Sequence, residues 1–166
     1  TLEDWKETIN FYNRDGFELH QFVVGTSFGS PLMTMSPINC AGLHLHGGSG
    51  VGKTTAMAAG ASVWGNPEDL IIHERDTYNT KMNRGEIYHN LPLYMDELTN
   101  AKGKELSNLA YQLTGGRHRG RMAASSNAER YRGEAWSLIS VSTGNTSLIE
   151  TINMIKAMPK AEAQRI

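Results

Sequence analysis

The stretch HGGSGVGKTT, His46 to Thr55, has residue types and spacing that can do chemistry. Gly47, Gly52, Lys53 and Thr54 fit the pattern G-x-x-x-x-G-K-[ST] in full. Glycine tolerates positive φ, so successive backbone N–H groups can turn inward on a phosphate. The expected cradle is Gly47, Gly48, Ser49, Gly50, Val51, Gly52, Lys53, Thr54 and Thr55. A helix starting near Lys53 adds the positive end of its dipole. Lys53 then reaches the β- and γ-phosphates of ATP, and Thr54 ligates Mg²⁺.

A second site follows roughly 40 residues later, where the apolar run LPLYMDE ends in Asp96-Glu97. A strand beside the loop strand would deliver Asp96 to the metal. Glu97, next in sequence, is placed to orient and deprotonate a water, which favours hydrolysis over transfer to an acceptor. A third strand, SLISVST, is followed by Gly144 and Asn145. Ligands of open α/β sheets sit outside the carboxyl ends of strands, so Asn145 is a candidate partner of the γ-phosphate or the lytic water.

Charge is concentrated in one place. The 166-residue chain has a formal net charge of −1, so nucleic-acid contact has to come from a local patch. Residues 114–133 hold Arg117, Arg119, Arg121, Arg130 and Arg132 against the single acid Glu129, with four glycines in the same segment. Guanidinium groups on such a loop suit phosphate backbones without base readout. His118 and Tyr131 are candidate stacking partners there. The single Cys40 excludes an intrachain disulfide framework, and no Cys-rich zinc site is present. With no apolar run of membrane length and no basic-then-apolar leader, the expected setting is the cytoplasm.

These residues need elements to hold them. Apolar spacing predicts helices over 2–13 and 17–29, with a loop at SPLMTMSPIN. AGLHLH (41–46) reads as the strand feeding the glycine loop, and 53–65 as a small-residue helix stopped by Gly65 and Pro67. Strands are expected at 70–74, 91–97 and 137–143, and helices near 78–89, 104–113 and 147–157. Strands alternating with helices imply a mostly parallel sheet covered on both faces: an α/β three-layer sandwich of P-loop NTPase type, preceded by a short helical segment. Two units are assigned, a helical segment at 1–39 that is a candidate collar for assembly, and an ATPase core at 40–166 whose sheet is expected to be completed by further chain.

The order of these segments resembles the superfamily 3 helicases and related AAA+ ATPases, with motifs A, B, B′ and C in sequence. GGSGVGKTTAMAAGASVWGNP, LPLYMDELTN, LTGGRHRGRM and SVSTGNTSL are most similar to domain-of-unknown-function family 927 of phage and bacterial primase-helicase type. The resemblance covers about 40–166. It implies phosphate and Mg²⁺ binding by Lys53 and Thr54, Mg²⁺ ligation by Asp96, a base at Glu97 and a polar sensor at Asn145. It further implies that Arg117, His118, Arg119 and Arg121 lie on a DNA-contacting loop facing a ring's channel. Arg165 falls where such helicases carry an arginine that completes a neighbour's ATP site, with Arg121 as second candidate.

The expected protein is therefore an ATP-hydrolysing ring motor, a hexamer acting as replicative helicase on single-stranded or forked DNA. A primase or polymerase module in the same chain is an implied partner, and no membrane is. Three rivals stand beside it: a small-molecule kinase, a ring ATPase acting on protein or packaging DNA, and an assembly module that binds ATP without turnover.

Overall fold

A computed structural model of the chain describes residues 1–73, 75–98, 103–118 and 133–155. Helices α1 (Leu2–Phe11) and α2 (Glu18–Gly29) come first, followed by a 3-10 turn at Ser30–Met35. Then come β1 (Ala41–His46), α3 (Lys53–Ala61), the short α4 (Pro67–Leu70), β2 (Ile71–Ile72) and α5 (Tyr78–Tyr88). The series ends with β3 (Leu93–Met95), α6 (Gly103–Thr114), β4 (Ile139–Gly144) and α7 (Leu148–Ile155). No helix among the described residues is long and apolar enough to cross a membrane.

The four strands form one parallel sheet in the order β1-β4-β3-β2. Strand β3 shows why both faces must be covered. Leu93, Tyr94 and Met95 are all buried, and a strand sends successive side chains to opposite sides. Tyr94 joins Val23, Leu45, Ala56, Met57 and Val141 in a core beneath α2 and α3. Leu93 and Met95 join Met82, Leu106, Leu109, Trp136, Leu138 and Ile152 beneath α5, α6 and α7. The result is a mixed α/β fold with helices on both faces of a parallel sheet.

The differences from sequence expectation are local. Among the described residues of the run at 70–74, Ile71–Ile72 form the strand, which starts late because Pro67 starts a helical turn and the Asn66 side chain caps it by accepting from the Glu68 N–H at 3.3 Å. Pro31, near the start of the Ser30–Met35 segment, supports a 3-10 turn where a plain loop was expected. Helix α3 ends at Ala61 rather than at 65, and Gly60 leads it out through a turn closed by Val63 N–H on the Gly60 carbonyl at 3.2 Å. Strand β3 stops at Met95, two residues short, because Glu97 has φ +56 and cannot extend a strand.

Helix α2 is seated on α3 through small residues. A Cβ on Gly60 would lie 2.7 Å from both Ser27 Oγ and Val23 Cγ1. Ser27 is fully buried, donates to the Val23 carbonyl at 2.8 Å and shares a 2.5 Å hydrogen bond with the Tyr94 hydroxyl. Two tryptophans add bonds just past the end of α3, one to α2 and one from α1. Trp64 Nε1 donates to the Ser27 carbonyl at 3.0 Å, and Trp5 Nε1 to Ser62 Oγ at 2.9 Å. Gly60→Ala sets two effects against each other: about 1 kcal/mol of helix propensity gained and about 1–3 kcal/mol of overpacking lost. The close approach is partly to backbone, since the Val23 carbonyl is 3.3 Å away, so overpacking wins. The expected outcome is a lower urea midpoint at unchanged slope. An equal or higher midpoint would mean that α2 can ride up off α3 without loss.

Candidate functional site

The parallel order β1-β4-β3 brings three carboxyl ends to one edge of the sheet. At this edge β1 enters the glycine loop, β4 ends at Gly144 with Asn145 next, and β3 ends with Asp96 next. The loop is built as its composition requires. Gly47, Gly50 and Gly52 have φ of +149, +81 and +84, and at Gly50 and Gly52 these are values that an L side chain adopts only with strain. Helix α3 starts at Lys53 directly after this turn. The Lys53 ammonium folds back over the loop and donates to the Gly47 and Gly48 carbonyls, each at 2.7 Å.

The acid pair meets the loop through hydroxyl groups. Thr54 Oγ1 donates to Asp96 Oδ1 at 3.4 Å, so the first turn of α3 and the end of β3 converge. Thr143, which is 2 % exposed, donates its hydroxyl to the same Oδ1 at 2.5 Å. It also accepts the Glu97 N–H at 3.0 Å. One side chain on β4 thus clamps both residues of the pair, while the Asp96 N–H donates to the Ile72 carbonyl at 2.8 Å. The clamp keeps Glu97 in its left-handed conformation, φ +56, which costs a non-glycine residue about 1–2 kcal/mol. Sequence reasoning missed Thr143. The available signal was a hydroxyl residue two positions before Asn145 in an otherwise buried strand.

Of the residues singled out from sequence, Lys53, Thr54 and Asp96 come together at this edge. Glu97 is bound to it through its backbone, and Asn145 lies one residue beyond β4, where Gly144 pairs in register with His46. The Thr54 hydroxyl and the Asp96 carboxylate are hard oxygen donors of the kind that small divalent cations accept. Behind the edge, His44 is held at both ring nitrogens, and burial pushes its pKa below the ordinary histidine value. His20 packs on the loop from the other side, with its Cε1 3.5 Å from where a Gly52 Cβ would be, and burial lowers its pKa as well.

The basic segment is described only at its ends. Arg117 is exposed, after Gly116 with φ +66. His118 is engaged in the protein: its Nε2 lies 3.1 Å from Glu86 Oε2, and its ring meets Trp136 edge-on at 5.3 Å. Glu86 Oε1 accepts the Glu134 N–H at 3.0 Å, so one carboxylate from α5 holds residues on both sides of the segment. Arg119, Arg121 and Arg165, together with Tyr131, lie outside the described residues.

The sequence profile of the family described as "Domain of unknown function (DUF927)" matches residues 1–133. No curated protein sequence matches the chain. Among solved structures, one described as "SCCmec type IV Cch - active helicase" superposes with a TM-score of 0.63 at 23% identity. That match covers 91% of this chain and 28% of the other, so the chain spans little more than a quarter of that protein's length. At this identity the likeness speaks for the fold.

Proposed function

The chain belongs to the DUF927 family, and on that footing we propose that it is a P-loop NTPase that hydrolyses ATP as the motor domain of a DNA helicase. The observation that carries the reading is the convergence of Thr54 Oγ1 on Asp96 Oδ1, 3.4 Å apart, beside a glycine loop that ends in Lys53. A phosphate-holding loop can belong to many proteins. An acid pair beside it that follows a parallel strand is the arrangement water activation needs.

In this reading the loop's N–H groups and Lys53 bind the β- and γ-phosphates, with Lys53 exchanging its two carbonyl partners for phosphate oxygens. Thr54 and Asp96 would hold Mg²⁺, which supplies neutralisation of phosphate charge when bound. Glu97 accepts the proton of the attacking water. Asn145 donates to the γ-phosphate or the water from the end of β4, and Arg165 of a neighbouring subunit balances charge from across a ring interface. Arg117, Arg119 and Arg121 contact the DNA backbone, with His118 fixing the base of their loop. The proposed assembly is a homo-oligomeric ring, most simply a hexamer, moving along single-stranded DNA.

The test is ATPase activity with and without single-stranded DNA, for the wild type and for Arg117→Ala/Arg119→Ala. DNA is expected to stimulate turnover and to bind with a steep salt dependence, and the double variant is expected to lose the stimulation while keeping basal hydrolysis. Turnover indifferent to DNA, with no salt-dependent binding, would remove the helicase reading and leave an ATPase that acts on another substrate.

A further inference from the structure

We propose that His44 is the positioning residue that ties the Asn145 turn to the strand feeding the phosphate loop, so that Asn145 moves with β1. The proposal rests on the reading of Asn145 as a phosphate partner. His44 sits opposite Ser142 in the β1–β4 register, and its Nδ1 lies 2.9 Å from Ser142 Oγ. Its Nε2 lies 3.0 Å from the Thr146 carbonyl. A carbonyl only accepts, so Nε2 carries the proton, and in the neutral ring Nδ1 accepts from the Ser142 hydroxyl. The depressed pKa favours this neutral form.

The consequence lies in what flanks Asn145. On one side Gly144 is paired in register with His46 of β1. On the other, Thr146 is held by His44 of the same strand. Asn145 is thus bracketed by two attachments to β1, which ends two residues after His44 and runs straight into the glycine loop. The Thr146 hydroxyl is itself joined to Thr151 on α7 at 3.1 Å, so the turn is fixed against both the sheet and the following helix. Among the described residues, His44 is the titratable one lining the cavity the ring borders, whose walls include Met95, Leu109, Leu113 and Leu148. Among the described residues, the neighbouring His46 ring, 6.1 Å away and nearly parallel, is the other titratable group that bears on it. The ring links strand and turn at the solvent-facing margin of that cavity, with Thr146 itself exposed.

Two conservative variants separate the two contacts. His44→Asn places an amide near Ser142 but is too short for the Thr146 carbonyl. His44→Gln extends an amide N–H to that carbonyl. His44→Asn is expected to lower kcat for ATP about tenfold, a misplacement effect, with KM within about twofold of wild type, while His44→Gln keeps most of kcat. The proposal is overturned if His44→Asn turns over like wild type, if both variants lose equally, or if KM rises in step with the fall in kcat. Backbone amide NMR judges the contact whether or not ATP is hydrolysed. His44→Asn is expected to shift the signals of residues 144–147 and His44→Gln to leave them in place; no shift in His44→Asn overturns the proposal. A wild type without ATPase activity but with the NMR pattern intact would instead refute the function assigned to the site.

Discussion

Glu97→Gln is expected to leave nucleotide binding intact and to slow ATP turnover by about 10²- to 10⁴-fold, the range a positioned general base contributes. The substitution keeps the backbone contact that fixes residue 97. Its N–H donates to Thr143 Oγ1 at 3.0 Å, a bond that glutamine keeps. The φ of +56 costs Gln about as much as Glu, so folding stability is expected to stay level. In the proposed function, binding rests on the loop and Lys53, and the oxygen pair rests on Thr54 and Asp96, none of which is altered. Steady-state ATPase and equilibrium nucleotide binding, measured on the same preparation, check both halves. Normal turnover would take the role of base from Glu97. Lost binding would mean that its carboxylate supports the site rather than the chemistry.

The parts of this site that were legible in sequence are those whose geometry is local. A glycine pattern dictates its own positive φ values, and the small residues of 53–61 announce a helix that can be approached closely. An apolar run ending in two acids announces a buried strand delivering them to an edge. Register is not local. The roles of His44 and Thr143 follow from β1 and β3 both pairing with β4, and the pairing of Ala41 with Ile139 joins residues nearly a hundred positions apart. Within its own strand each residue reads as an ordinary member of a period-two pattern. His118 is a similar case, since composition groups it with the arginines and the fold hands its ring to Glu86 and Trp136. Over residues 17–29, Val23, Val24 and Gly25 weaken the local preference for a helix. The packing of Val23 and Ser27 against Gly60 outweighs that propensity, and no local pattern encodes it.

Thr143→Val tests the clamp that sequence reasoning missed. Valine matches threonine in shape and suits a strand, so the change deletes one hydroxyl and adds no volume. Asp96 then loses its 2.5 Å donor and keeps Thr54 at 3.4 Å, and the Glu97 N–H loses its acceptor. Leaving such groups unmatched is expected to cost about 1–3 kcal/mol of stability. Turnover is expected to fall further than stability alone implies, by about 10- to 100-fold, because both acids lose position at once. Thr143→Ser retains the hydroxyl and gives up the methyl, so it is expected to recover most of the turnover while paying a packing penalty of its own. That crossed pattern, with Val worse in kcat and Ser comparable in denaturation midpoint, distinguishes a clamp on chemistry from a buried residue that merely fills space. If Val and Ser lower kcat in proportion to their midpoints, Thr143 belongs to the core and the two acids are held in place by their own strand.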